Sequence, residues 1–203
     1  MSIALIVPSR KRFDRLMTML KSFHVNASDE VQYEAYVKFD YDDEEALTRF
    51  PEIQGIGGKV YTIFAERRWT EEMSGYVSIG AYYNQMMRMA HVDWLWMMND
   101  DCWIEGKDWD KAIEEFTEDD VDFLQPLDVT WGKSIYTGYD RGPFPIVRKS
   151  AFDWMNEEMP LADPIDLNIY HRFKEKEIGP KYVEGFVLHH ERDSEAELER
   201  HRL

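Results

Sequence analysis

A chain of 203 residues sits within the single-domain size range and can bury a real core. Its 44% hydrophobic content, with seven Trp, eleven Tyr and eleven Phe, excludes intrinsic disorder. Forty acidic residues against 24 basic ones give a formal charge of −16 without any long basic run, which argues against a nucleic-acid partner. Cys102 is the only cysteine, so an intrachain disulfide is impossible and a cytoplasmic, reducing location is expected.

The chain opens with Ile3 to Val7, a β-rich run closed by Pro8, Ser9 and Arg10. It is too short for a signal peptide or a membrane span, so neither a targeting segment nor an integral membrane segment is expected. Phe13, Leu16, Met17, Leu20 and Phe23 then recur at helical spacing, with Lys11, Arg12, Arg15 and Lys21 off that face. A second strand, Tyr33 to Phe39, ends in Asp40, Tyr41, Asp42 and Asp43. Acids at a strand end can accept hydrogen bonds from a base or ribose, or they can start a helix and complement its dipole. Asp40 is assigned here to the ligand and the later acids to the helix.

Gly55, Gly57 and Gly58 read as a turn, and Lys59 to Ala65 as a third strand. Arg67 and Arg68 follow it, either as partners for a diphosphate or as a solvated surface pair. Ile79, Tyr83, Met86, Met87 and Ala90 mark a helix over Ser78 to His91, with Gly75 and Gly80 in its approach and Asn84 upon it.

That helix feeds the most informative stretch, Asp93 to Asp101. Trp94 to Met98 is an unbroken apolar run, expected to be a strand buried on both faces. It stops at Asn99, Asp100 and Asp101, and ligands of open α/β sheets collect where such strands end. Adjacent carboxylates beside an amide suit a hard divalent cation that bridges to phosphates, whereas Asn and Asp also make plain turns.

Trp109, Ala112, Ile113 and Phe116 signal a further helix, and Val121 to Leu124 a short strand before Pro126. Residues 128–148 carry Gly132, Gly138, Gly142, Pro143 and Pro145 among Trp131, Tyr136, Tyr139 and Phe144, a composition that suits either a sugar-facing loop or an irregular hairpin. Ile165, Ile169 and Phe173 predict a last helix with Asp163 as N-cap and Pro164 at its first position. Asp166 occupies either a capping-box position or the crevice, as a general base. A final strand, Tyr182 to Leu188, delivers His189 and His190, imidazoles that a manganese site accepts. Residues 191–203 are expected to form a charged peripheral tail.

In order, these motifs resemble the nucleotide-sugar glycosyltransferases of the GT-A fold, in particular the family-2-like group, over most of residues 2–190. IALIVPSRKRFDRLMTMLKSF resembles that family's opening strand, loop and helix, and VKFDYDD its second strand end. GYVSIGAYYNQMMRMA looks like the helix before the metal strand, and WLWMMNDDCW like the Asp-Xaa-Asp motif. GPFPIVRKSAF resembles the acceptor side, DPIDLNIYHRF the acidic helix with the base, and FVLHH the late histidine. The resemblance implies one α/β domain over 1–190, a Rossmann-like, mixed, mostly parallel sheet flanked by helices.

It further implies nucleotide contacts at Pro8, Ser9, Arg10, Asp40, Asn84 and Asp100. A divalent metal, Mn2+ or Mg2+, would sit at Asn99, Asp101 and His189 or His190. The general base would be Asp166, with Asp163 as a rival because Ile165 stands where the family has an acid. Asn99 likewise replaces the usual first acid of the metal motif. The implied activity moves a sugar from a nucleotide-diphosphate donor, a UDP-sugar by inference, to a carbohydrate or other hydroxyl acceptor with inversion. Two alternatives stand beside it. A non-catalytic carbohydrate-binding or assembly protein can share the fold. A sugar-phosphate nucleotidylyltransferase fits less well, because the first strand is not followed by a Gly-rich phosphate loop.

Overall fold

The computed structural model describes residues 1–29, 32–66, 75–116, 121–128, 144–154 and 165–191. Arg67, Arg68, Asp163, the aromatic stretch 129–143 and the tail beyond Glu191 lie outside them. In chain order the elements are β1 (Ser2–Pro8), α1 (Phe13–Asn26), β2 (Gln32–Asp40), α2 (Glu44–Arg49), β3 (Lys59–Ala65), α3 (Gly75–Met89), β4 (Trp94–Met97) and β5 (Cys102–Glu105). There follow α4 (Trp109–Glu114), β6 (Phe123–Asp128), β7 (Ile146–Arg148), α5 (Lys149–Trp154), α6 (Ile165–Glu175) and β8 (Lys181–His190).

The eight strands form one sheet in the order β3-β2-β1-β4-β7-β6-β8-β5. β1 pairs in parallel with both β2 and β4, and β2 with β3. This parallel half arises because each strand is followed by a crossover that must return the chain to the same end of the sheet. Beyond β4 the pairing turns mixed: β4 with β7, β7 with β6 and β5 with β8 are antiparallel, while β6 with β8 is parallel.

Two cores lie on opposite faces of the sheet, and side-chain alternation along β1 and β4 sorts residues between them. Ile3, Leu5, Val7, Trp94 and Trp96 join α1 and α4 through Phe23 and Trp109. Ala4, Ile6, Leu95 and Met97 face α3 and α6 through Tyr82, Tyr83, Met86 and Phe173. The buried run at Trp94 is therefore covered on both sides, as a central parallel strand requires.

Several expectations change. The third helix starts at Gly75, not Ser78, so Gly80 is inside it. β6 runs through Pro126 to Asp128 with a register irregularity there, where a residue lacking an N–H cannot continue a ladder. Three short elements carried too little periodicity to be read: β5, β7 and α5. β8 is also longer than expected, because it serves two neighbours. Lys181 to Val183 and again Leu188 pair with β6, and Val187 to His190 with β5. Gly185, at φ +99°, lies between Val183 and Leu188, where the pairing with β6 is irregular, in a conformation that other residues rarely adopt. The register of β8 against β5 sets His190 opposite Cys102.

Candidate functional site

The loop from Ser9 to Arg12 leaves β1 between the acidic ends of β2 and β4, and its four residues bond to one or the other. Ser9 Oγ donates to Asp100 Oδ2 at 2.7 Å. Arg10 Nη1 lies 2.8 Å from Asp40 Oδ2, and its guanidinium is paired through both nitrogens with Asp42. The Lys11 amide donates to Asp43 Oδ2 at 2.6 Å, with Lys11 itself at φ +53°. Arg12 Nη1 reaches Asp100 Oδ1 at 3.2 Å and Asp101 Oδ2 at 2.9 Å. Parallel strands make this convergence possible, since they release β1, β2 and β4 at one end of the sheet.

Asp40 is 3% exposed and held from below as well. The ammonium of Lys38, two residues earlier on β2, donates to Asp40 Oδ1 and stands 3.2 Å from the centroid of the Tyr82 ring. Lys38 is itself buried, which lowers its pKa against the opposing pull of Asp40. The hydrogen bond to Asp42 leads the causes that raise the Arg10 pKa. Asp43 is shared between the Lys11 amide and the Ala46 amide, capping α2. Of the later acids expected at the helix start, Asp43 caps α2, whereas Asp42 joins Asp40 on Arg10.

Asp100 and Asp101 are neighbours in the chain, both nearly buried, yet they differ in acidity. Burial pushes Asp100 up to about 6, aided by the Asp101 charge and opposed by Arg12 and Ser9. Burial acts on Asp101 too, but the His190 hydrogen bond and the charges of His190 and Arg12 outweigh it and hold Asp101 below the usual carboxylate range. His190 Nε2 lies 3.0 Å from Asp101 Oδ1. Phe144 supports that imidazole edge-on, with ring centroids 5.0 Å apart.

The two histidines at the end of β8 diverge because successive strand residues face opposite ways. His190 faces Asp101, whereas His189 stacks on Trp103 at 5.1 Å and meets Glu105 Oε2 at 2.9 Å on the exposed face. Asn99 turns toward α3, its Oδ1 accepting from the Tyr83 hydroxyl at 3.2 Å. Asn84 is buried on α3, and Pro8 ends β1. Asp166 is the second residue of α6. Arg12 and Cys102 were not singled out from sequence. Both stood beside the motifs that were, Arg12 as an off-face cation at the start of a helix and Cys102 directly after the acidic pair.

Asp101, Cys102 and His190 offer ligand atoms that all lie within 4.8 Å of one another. One carboxylate oxygen and one imidazole nitrogen are donors that a divalent cation accepts. The buried thiol of Cys102, 3.9 Å from Asp101 Oδ1, adds a softer atom at the margin.

The same architecture occurs in solved structures. GalNAc-T7 with UDP, GalNAc and Mn2+ superposes with a TM-score of 0.75 over 96% of this chain and 44% of that one, at 12% identity. The fold is that of the GT-A glycosyltransferases. Residues 1–349 of S. aureus TarS in complex with UDP-GlcNAc give a TM-score of 0.66 at 13% identity, covering 96% of this chain and 60% of that one. The mannosyltransferase PcManGT from Pyrobaculum calidifontis, in complex with GDP-Man and Mn2+, gives 0.63 at 11% identity over 92% and 56%. The chain thus spans about half the length of these GT-A structures. No protein-family model matches the sequence. No curated protein matches it either. Among the described residues, no helix is long and apolar enough to cross a membrane.

Proposed function

We propose that the protein is a metal-dependent glycosyltransferase that moves a sugar from a nucleotide-diphosphate donor, a UDP-sugar, to an acceptor hydroxyl with inversion. The observation that carries this reading is the convergence on one loop of two acidic strand ends, with His190 beside them. The GT-A fold agrees with it, and the nucleotides and Mn2+ bound by the solved relatives indicate which ligands to try first.

In this reading Asp40, fixed by Lys38 and Arg10, accepts from the base, while Ser9 and Asp100 border the ribose and phosphates. Asp101 and His190 would hold the divalent cation, which when bound supplies Lewis-acid stabilisation of charge on the departing nucleotide. His190 is preferred to His189 because its ring already meets Asp101. The lowered pKa of Asp101 keeps it charged, as a cation ligand must be. Asp166 takes the proton of the acceptor hydroxyl as that oxygen attacks the anomeric carbon. Asp163 is the rival base.

A screen of UDP-, GDP- and TDP-sugars with Mn2+ tests the proposal. Metal-dependent release of nucleotide from one donor is expected, together with a rise in melting temperature on adding UDP and Mn2+. Sugar binding without release from any donor would instead assign the fold to a non-catalytic carbohydrate binder.

A further inference from the structure

Arg12 bridges Asp101, the carboxylate that the site would offer to a cation, and its neighbour Asp100. Its Nη1 is 3.2 Å from Asp100 Oδ1 and 2.9 Å from Asp101 Oδ2, with only 17% of the Arg12 side chain exposed. The carboxylates themselves are 6% and 5% exposed. His190 takes the other oxygen of Asp101, so both of its oxygens are engaged. Two adjacent buried carboxylates repel one another and need positive charge close by. A guanidinium satisfies that need as a fixed, always charged fork.

We propose that Arg12 is the site's own counter-cation, holding Asp100 and Asp101 together in the free protein and moving onto the diphosphate when nucleotide and metal enter together. The inference rests on the reading of this crevice as a nucleotide-diphosphate and metal site. A divalent ion arriving alone at Asp101 meets a positive charge within hydrogen-bond distance of the same carboxylate, and like charges at such a separation disfavour binding. A diphosphate removes the conflict, because the planar fork that fits a carboxylate fits phosphate oxygens equally well. Arg12 is suited to the exchange by its place: it is the N-cap residue of α1, three residues after Ser9 on the loop that lines the crevice. The consequence is that the chain takes up metal with its nucleotide and resists taking it up alone.

Manganese binding, followed by the electron paramagnetic resonance of the free ion, tests this without any turnover. The proteins are the wild type, Arg12→Gln and Arg12→Lys, each checked by thermal melting. Without nucleotide, Arg12→Gln is expected to bind Mn2+ about tenfold more tightly than the wild type, and Arg12→Lys to stay near the wild type. In metal-free buffer the same Gln variant is expected to bind UDP about tenfold more weakly. Manganese binding by Arg12→Gln that is no tighter than wild type overturns the role of Arg12 and leaves the glycosyltransferase reading standing. If neither protein takes up Mn2+ even with UDP present, the metal reading falls and this inference with it. Should Arg12→Gln fail to fold, a crystal structure of the wild type with UDP and Mn2+ decides the matter. Arg12 on the diphosphate supports the exchange, and Arg12 still on Asp101 Oδ2 overturns it.

Discussion

The acidic ends of β2 and β4 meet the same loop but are neutralised in different ways. Asp40 is held by a buried lysine of its own strand, which arrives with the sheet itself, and by Arg10 from the loop. Asp100 and Asp101 depend on Arg12 from the loop and on His190 from β8, the far end of the fold. The first arrangement is part of the core, with Lys38 enclosed under Tyr82. The second is assembled from separate segments of the chain. A group meant to stay fixed is secured locally, while groups meant to exchange partners are secured by side chains that can leave.

The largest effect that would sharpen this contrast is on activity. Asp101→Ala is expected to cut metal-dependent sugar transfer on the order of a thousandfold while the protein still folds, as the loss of a principal charge stabiliser does. Steady-state rates with a donor found by the screen would check it, and undiminished transfer would remove Asp101 from the mechanism.

At the β2 end the expected effect is on stability. Lys38→Met leaves Asp40 buried with Arg10 as its remaining named cation, and removing one partner of a buried pair costs roughly 3 to 5 kcal/mol. Urea unfolding measures this directly. A loss below about 1 kcal/mol would mean that the Lys38 pair contributes no more than a surface one.

The pH dependence separates the two carboxylates of the β4 end. Asp100 has a folded pKa near 6, above its unfolded value, so the folded state binds its proton more tightly. Stability should therefore decline as pH rises from about 4 through about 6, by roughly 2 to 3 kcal/mol from this group, and the loss should persist above that window. Asp101 is shifted the other way, and its contribution is present above its unfolded pKa and lost as pH falls through the lower folded one. Asp100→Asn should abolish the decline between pH 4 and 8 in urea melts, and a decline of the same size in the variant would trace it to another group.

The smallest effects distinguish the histidines. His190→Ala is expected to weaken Mn2+ binding in the presence of UDP by about tenfold to a hundredfold, an estimate borrowed from groups that support metal ligands. His189→Ala should change that affinity little and cost at most about 1 kcal/mol of stability, since its Glu105 partner is exposed. Equal effects on metal binding from the two variants would erase the distinction drawn from strand alternation.

How much of this was legible beforehand depended on the length of each signal. β1, α1, β2, β3 and β4 each carry several residues of uninterrupted pattern, and the structure has each within a few residues of its expected bounds. The acidic ends of β2 and β4 were equally plain, because polar residues that interrupt an apolar run mark where the run leaves the core. β5 and β7, of four and three residues, lie below the length at which alternation can be told from chance, and α5 spans six. Cys102 was legible as a residue but not as a neighbour of His190, since that contact depends on the register of β8 against β5. Arg12 went unremarked because a cation off the apolar face of a helix is ordinarily a solvated one.

Sequence alone thus determined the elements that repeat over a strand or a helix, the class of fold they imply and the acids at their ends, because periodic burial is written locally in the chain. Tertiary structure alone decided which charges meet: that Arg10 goes to Asp40 and Arg12 to the Asp100 and Asp101 pair, and that His190 rather than His189 turns to Asp101. Those choices follow from which strands the fold sets side by side, β8 against β5 from more than eighty residues away in the chain, and a one-residue slip there would carry the imidazole to the opposite face of the sheet.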